Sequence, residues 1–229
     1  MIKKIFLPLF LSLVLPMTGY AEIPKALTGF GLGAKLHANT SNSTVKRGYY
    51  TNHQHKASDT THLSGSGAFG GIFASYNHIF TNCVYLGAEI SASWGKMDGK
   101  MKSKAIAQYP HALALKQRAA SYGGAVKLGG LFWNALPYIK VGSINSKWHA
   151  KSTLGMTHSN KHFSKHLSGL VYGVGVEIPI HERLSFGGEM TQTHYKKLKL
   201  DHHTPGNRVV KYNIKPRHNT FALTTKVKI

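Results

Sequence analysis

Seven charged residues stand where a charge is hard to place. Glu89, Glu177, Glu189, Lys35, Lys127, Lys140 and Lys226 each fall in a stretch that alternates between apolar and small or polar residues. Each lies on the small, glycine-rich side of its stretch. If those sides face an enclosed interior, the charges must pair, because an unpaired buried charge is very costly. The seven are expected to form an ion-pair network that fills the interior. A gated pore or proton path is the functional alternative.

Basic residues gather elsewhere. Lys96, Lys100, Lys102, Lys104 and Lys116 surround Asp98, and Lys196, Lys197, Lys199, Arg208, Lys211, Lys215 and Arg217 surround Asp201. Over the whole chain Lys and Arg number 29 against 8 Asp and Glu, a formal net charge of +21. A charged partner is therefore anionic: glycan, lipid headgroup or nucleic acid. The competing reading is a solvated surface without a specific ligand.

Fifteen histidines accompany this charge. His158, His162 and His166 have the spacing of one helix face, and His53, His55, His202 and His203 lie in similar surroundings. Imidazoles bind zinc, copper or nickel. The segment HSNKHFSKH has no helical apolar face and no nearby carboxylate or thiolate, so no metal or other cofactor is expected. Hydrolysis would require a nucleophile beside a base. Serines and histidines are plentiful, but no GxSxG or other compact motif appears. The lone Cys83 reads as a packing residue, and one cysteine excludes an intramolecular disulfide scaffold.

The elements that carry these groups repeat with period two. In residues 83–94, Val84, Leu86, Ala88, Ile90, Ala92 and Trp94 form one face, and Cys83, Tyr85, Gly87, Glu89, Ser91 and Ser93 the other. That length suits a tilted strand crossing a membrane, at ~9–11 residues. Similar strands are predicted at 28–37, 120–131, 170–180, 184–195 and the last nine residues. Less regular ones fall at 64–76, where the facing is ambiguous, and 137–148. Short connections near 77–82, 132–136 and 181–183 alternate with long ones at about 39–62, 95–117, 149–166 and 196–218. Tyr76, Phe80, Trp94, Phe132, Trp133, Tyr138 and Trp148 mark segment ends, where interfacial aromatic girdles lie.

The start of the chain reads as a secretory signal. Lys3 and Lys4 precede an apolar run, and Gly19-Tyr20-Ala21 supplies small residues before a cut after Ala21. The run is short for the ~20 residues of a helical anchor. Secretion removes nucleic acid from the expected partners. Two folds compete with a membrane barrel: a soluble lipocalin-like carrier, whose apolar face would point inward, and a β-sandwich with one buried face per strand. Polar faces this small suit a narrow lumen packed with short side chains.

The stretches VYLGAEISASWG and YGVGVEIPIHERLSFGGEMTQTHY resemble paired strands of small bacterial outer-membrane barrels, the OmpA/OmpX-like superfamily. The resemblance covers most of the chain as an architecture. It implies an all-β, eight-stranded antiparallel up-and-down transmembrane β-barrel, a meander with short periplasmic turns and long outer loops. Residues 1–21 would be the cleaved signal peptide and 22–229 the barrel, in the outer membrane of a Gram-negative cell. It further implies contact with outer-membrane lipids and lipopolysaccharide, and with the barrel-assembly machinery during biogenesis. Such proteins usually end in an aromatic residue, where this chain has Ile229. Enzymes also occur on this architecture, so an outer-membrane lipid-modifying hydrolase is the alternative function. The expected function is a non-enzymatic surface protein without a wide pore. Its basic outer residues would contact lipopolysaccharide or anionic host glycans.

Overall fold

The computed structural model describes residues 24–51, 54–101, 111–154, 159–204 and 208–229. The predicted signal peptide and its cleavage site lie outside them. A 3₁₀ turn at Lys25–Leu27 precedes ten strands: β1 (Gly29–Thr51), β2 (Gln54–Ile79), β3 (Val84–Met101), β4 (His111–Gly130), β5 (Leu136–Leu154), β6 (Ser159–Pro179), β7 (Leu184–Tyr195), β8 (Leu198–Thr204), β9 (Arg208–Lys215) and β10 (Arg217–Lys228). All pairings are antiparallel. β1 to β7 pair in sequence, and β10 joins β7 to β1, closing a ring of eight strands.

In the lower part of this ring the alternation works as the sequence implies. Phe30, Leu32, Leu36, Ile72, Leu86, Ile90, Val126, Val174, Phe186, Met190, Phe221 and Leu223 all point outward and are exposed. Such a belt is stable only against lipid, and ring closure leaves no unpaired strand edge within it. Ambiguity in β2 is resolved: Phe69 and Phe73 are buried inside, and Ile72 and Tyr76 face out. Tyr76, Phe80, Phe132 and Trp133 ring the end with the short turns, and Trp94, Tyr122 and Tyr172 lie toward the other end. Tyr138 and Trp148 do not join the girdles. They share the inward parity of Lys140 on β5, and are 2% and 1% exposed.

Most of what was expected to be long loops is strand. β1 continues to Thr51 and β2 starts at Gln54, β5 and β6 run on to Leu154 and from Ser159, and 198–215 folds as the hairpin β8–β9. β9 pairs with β1 from Thr44 to Thr51, directly above the β1–β10 pairing. In this outer section the polarity of the strands inverts. Val45, Leu63, Met97, Trp148, Leu167, Leu198, Tyr212 and Ile214 point inward and form one apolar cluster, while the outward positions are polar. Above the lipid both faces of a strand no longer meet apolar surroundings, so the outside turns polar and the inside packs as an ordinary core. Among the described residues, strand pairing does not close the ring here. β8 pairs only with β9, and above Gly169 β6 pairs only with β5.

Candidate functional site

Five of the seven predicted interior charges meet at one level. Glu89 (β3) and Glu189 (β7) lie between Lys35 (β1), Lys127 (β4) and Lys140 (β5). Lys35 Nζ is 3.0 Å from Glu89 Oε1 and 3.1 Å from Glu189 Oε2. Lys127 Nζ is 2.7 Å from Glu89 Oε2 and 3.4 Å from Glu189 Oε1. Lys140 Nζ is 2.8 Å from Glu89 Oε1 and 3.0 Å from Glu189 Oε2. Each ammonium thus bridges both carboxylates. Glu177 and Lys226 are not part of this ring; they form a separate buried ion pair, in which Glu177 also accepts a 2.6 Å hydrogen bond from Ser185 Oγ.

Two aromatic rings that the sequence reading did not assign to the interior hold the ammonium groups in place. Phe73 has Lys35 Nζ 5.2 Å and Lys127 Nζ 5.8 Å from its centroid. Tyr138 has Lys127 Nζ 4.8 Å from its centroid and donates its hydroxyl to Glu189 Oε1 at 2.8 Å. Such cation–π contacts add to the Coulombic attraction where water is scarce. Their only sequence signal is parity: Phe73 and Tyr138 alternate in step with the inward glycines and lysines of their strands.

The lumen is filled in layers. Leu27, Ile79, Tyr85, Leu136 and Tyr138 close the short-turn end. The charge ring follows, then a cavity of ≈ 90 Å³ lined in part by Lys35, His37, Gln117, Lys140 and His218. His37 Nε2, Gln117 Oε1 and His218 Nε2 have no protein hydrogen-bond partner among the described residues. The apolar cluster around Trp148 covers the outer end. An eight-stranded ring leaves room for little beyond side chains, and here they occupy it.

Of the predicted polyanion-contact residues, Lys96, Lys196, Lys197, Lys199, Lys211, Lys215 and Arg217 are exposed. All lie beyond the apolar belt, and five of the seven on strands rather than in loops. Lys96 is 3.5 Å from Asp98, which Lys116 also approaches at 3.6 Å. Lys211 Nζ sits 5.0 Å from the ring centroid of Tyr50. Only the backbone of Lys100 and Arg208 is described, and Lys102 and Lys104 lie outside the described residues. The structure adds Lys46, exposed on β1 in a stretch read as loop. Of the histidines weighed as metal ligands, His162 and His166 belong to strand β6, whereas His53 and His158 are not among the described residues.

A closed antiparallel ring, apolar outside and charged within, defines a membrane-spanning up-and-down β-barrel. The chain belongs to the outer membrane protein beta-barrel domain family, which it matches over residues 8–223, and its place is the cell outer membrane. Among solved structures it is similar to the outer membrane protein OprG from Pseudomonas aeruginosa, with 11% identity and a TM-score of 0.57 over 91% of this chain and 100% of that one. It is also similar to Neisserial surface protein A, at 14% identity and TM-score 0.40 over 86% and 97% of the two chains. A third is the attachment invasion locus protein Ail of Yersinia pestis, at 11% identity and TM-score 0.32 over 81% and 99%. At these identities the likeness concerns the fold alone. The comparison with curated proteins gave no match.

Proposed function

We propose that the protein is a closed, non-catalytic surface barrel whose basic outer section contacts polyanions, with lipopolysaccharide and anionic host glycans as the classes it suits. The observation that carries this reading is the exposure of Lys196, Lys197, Lys199, Lys211, Lys215 and Arg217 beyond the lipid belt, with Asp201 the acid among them. Lys199, Lys211, Lys215 and Arg217 stand on strands, which hold them at fixed spacing while they stay solvated, and Lys196 and Lys197 lie in the short link between β7 and β8. Conduction is disfavoured by a lumen filled with ion pairs and apolar side chains. The hydrolase reading lacks support: Ser121 and Ser146, which lie together, hydrogen-bond to Gln117 and Tyr195 rather than to a base.

The test is binding of heparin and of lipopolysaccharide to the refolded barrel at increasing salt. Exposed charges are screened over ~8 Å at physiological ionic strength, so affinity should fall steeply. Replacing Lys196, Lys197, Lys199, Lys211 and Lys215 with Gln should weaken binding while the barrel stays folded. An affinity insensitive to salt and to these changes would point to a shaped pocket and restore the hydrolase or small-ligand reading.

A further inference from the structure

One wall of the barrel changes chemistry row by row along β7 and β10. Outward-facing Met190 and Phe221 are cross-strand partners at the top of the apolar belt, 63% and 53% exposed. One row higher Gln192 faces Asn219 and donates Nε2 to its Oδ1 at 2.9 Å. In the next row His194 faces Arg217. His194 Nε2 lies 3.0 Å from Gln192 Oε1 and 3.0 Å from the hydroxyl of Tyr172 on β6. Rows are ~6.6 Å apart along a strand, so apolar, amide and cationic surfaces succeed one another within about 13 Å.

Beyond Arg217 the wall is hollowed by a depression of ≈ 420 Å³. Lys46, Lys197, Lys199, Lys215 and Arg217 line it with Thr44 and Asn213, and no carboxylate is among them. Lys46, Asn213 and Lys199 share one cross-strand row, and Thr44 and Lys215 the next. With strands ~4.8 Å apart, Lys46 and Lys199 stand about 10 Å apart on either side of Asn213. Ammonium groups on flexible stems can close that span on a phosphate from both sides.

We propose that this wall binds the headgroup of a phosphorylated glycolipid of the outer leaflet. Acyl chains lie on the Met190–Phe221 row and below. Sugar hydroxyls and amides meet Gln192, Asn219 and His194, and the phosphates meet Arg217, Lys215, Lys197 and Lys46. The order of surfaces matches the order of groups along such a lipid. The depression faces sideways above the belt, where a membrane lipid is already present and a soluble polyanion is not tethered. This inference rests on the polyanion reading for Lys197, Lys199 and Lys215, and narrows it to one wall and one class of lipid.

The experiment measures binding of phosphorylated lipopolysaccharide to the folded full-length barrel in detergent. Parallel arms use the same lipid after enzymatic dephosphorylation, inorganic phosphate and heparin. Heat-modifiable gel mobility confirms that each variant is folded. The combined change Lys46→Gln, Lys215→Gln and Arg217→Gln should weaken binding of the phosphorylated lipid at least tenfold. Lys151→Gln with Lys165→Gln, exposed on β5 and β6, should change it less than twofold. Dephosphorylation should cost the parent protein a similar factor, and Gln192→Leu with Asn219→Leu should weaken both lipid forms. Equal affinity for the two lipid forms, or no effect of the triple change, would overturn the proposal. Displacement of the lipid by millimolar inorganic phosphate would also overturn it, by showing a bare anion site. Absence of heparin binding by the parent would reject the broader polyanion reading while leaving the lipid arms to decide this one.

Discussion

The ring of Tyr138 lies over Gly175, its cross-strand partner on β6, so closely that a Cβ there would come within 2.5 Å of Cζ and 2.6 Å of the hydroxyl oxygen. Phe73 stands in the same relation to Gly33 on β1, where a Cβ would meet Cζ at 2.3 Å. Both rings are thereby laid across the lumen wall, at the level of the ammonium groups they face. The glycines make room for the rings, and the rings help hold the lysines between the two glutamates.

Gly175→Ala should therefore displace Tyr138 and break its hydrogen bond to Glu189. A hydrogen bond to a charged group contributes about 1.5–3 kcal/mol, so the urea midpoint of the refolded barrel should drop measurably. Gly188→Ala is the control, since nothing lies within 4 Å of a Cβ there. Equal effects of the two changes would refute the role given to the Tyr138–Gly175 contact.

The charge ring is unbalanced, with three lysines sharing two glutamates. Removing a carboxylate strands two cations' worth of excess, whereas removing one lysine restores neutrality. Breaking a buried ion pair by deleting one partner costs about 3–5 kcal/mol. Glu89→Gln and Glu189→Gln should show losses of that order in urea or heat unfolding. Lys35→Met, at the most exposed of the three lysines, should cost clearly less. If Lys35→Met proved as damaging as Glu89→Gln, the lumen would be governed by packing rather than by charge.

Height on the wall should decide the fate of an outward-facing arginine. Ile90 is 68% exposed within the belt, and Ser66 faces outward beyond it. An arginine on the lipid face costs ~2–4 kcal/mol at the bilayer midplane. Ile90→Arg should hinder folding into vesicles, and Ser66→Arg should not. Refolding yield followed by gel mobility distinguishes the two, and equal tolerance would contradict the position of the belt.

Trp148 belongs to the core of the outer section, against Tyr195 and His218. Replacing a buried Trp by Ala costs ~3–5 kcal/mol. Trp148→Ala should loosen the outer strands while the membrane ring remains closed. The expected signature is new protease sensitivity in 149–168 and 196–216 on reconstituted vesicles, with the belt still protected.

The belt strands are legible in the sequence because lipid and lumen are so unlike that every second residue changes type; 83–94 and 170–180 show it plainly. The charges that meet in the lumen were legible for the same reason. What could not be read lies where that contrast fades. Beyond the belt the outward residues are polar and the inward ones mix Asn39, Ser41, Ser43, Val45 and Arg47, so β1 looks like a loop after residue 38. Tyr138 and Trp148 stand near segment ends, and composition alone cannot separate a girdle aromatic from a core one. Phe69 and Phe73 are surrounded by glycine on both sides of the strand, which erased the facing of β2. Pairing of β9 with β1 joins segments far apart in sequence and leaves no local trace.

On β1, outward Leu36 is followed two residues on by Ala38 and then by Thr40, Asn42 and Thr44, with the hydrogen-bond ladder unbroken throughout. The same backbone thus passes from one solvent to another without a joint, and only the outward residue type records the crossing. This sets a waterline on the barrel. Exchanging one outward row from apolar to polar, or the reverse, would move that line by about 5 Å once a strand tilt of ~40° is allowed for. The protein can therefore be raised or lowered in its membrane by substitutions that touch neither its topology nor its lumen. How far the basic strands stand above the lipid is a quantity that selection can adjust independently of everything that holds the barrel together.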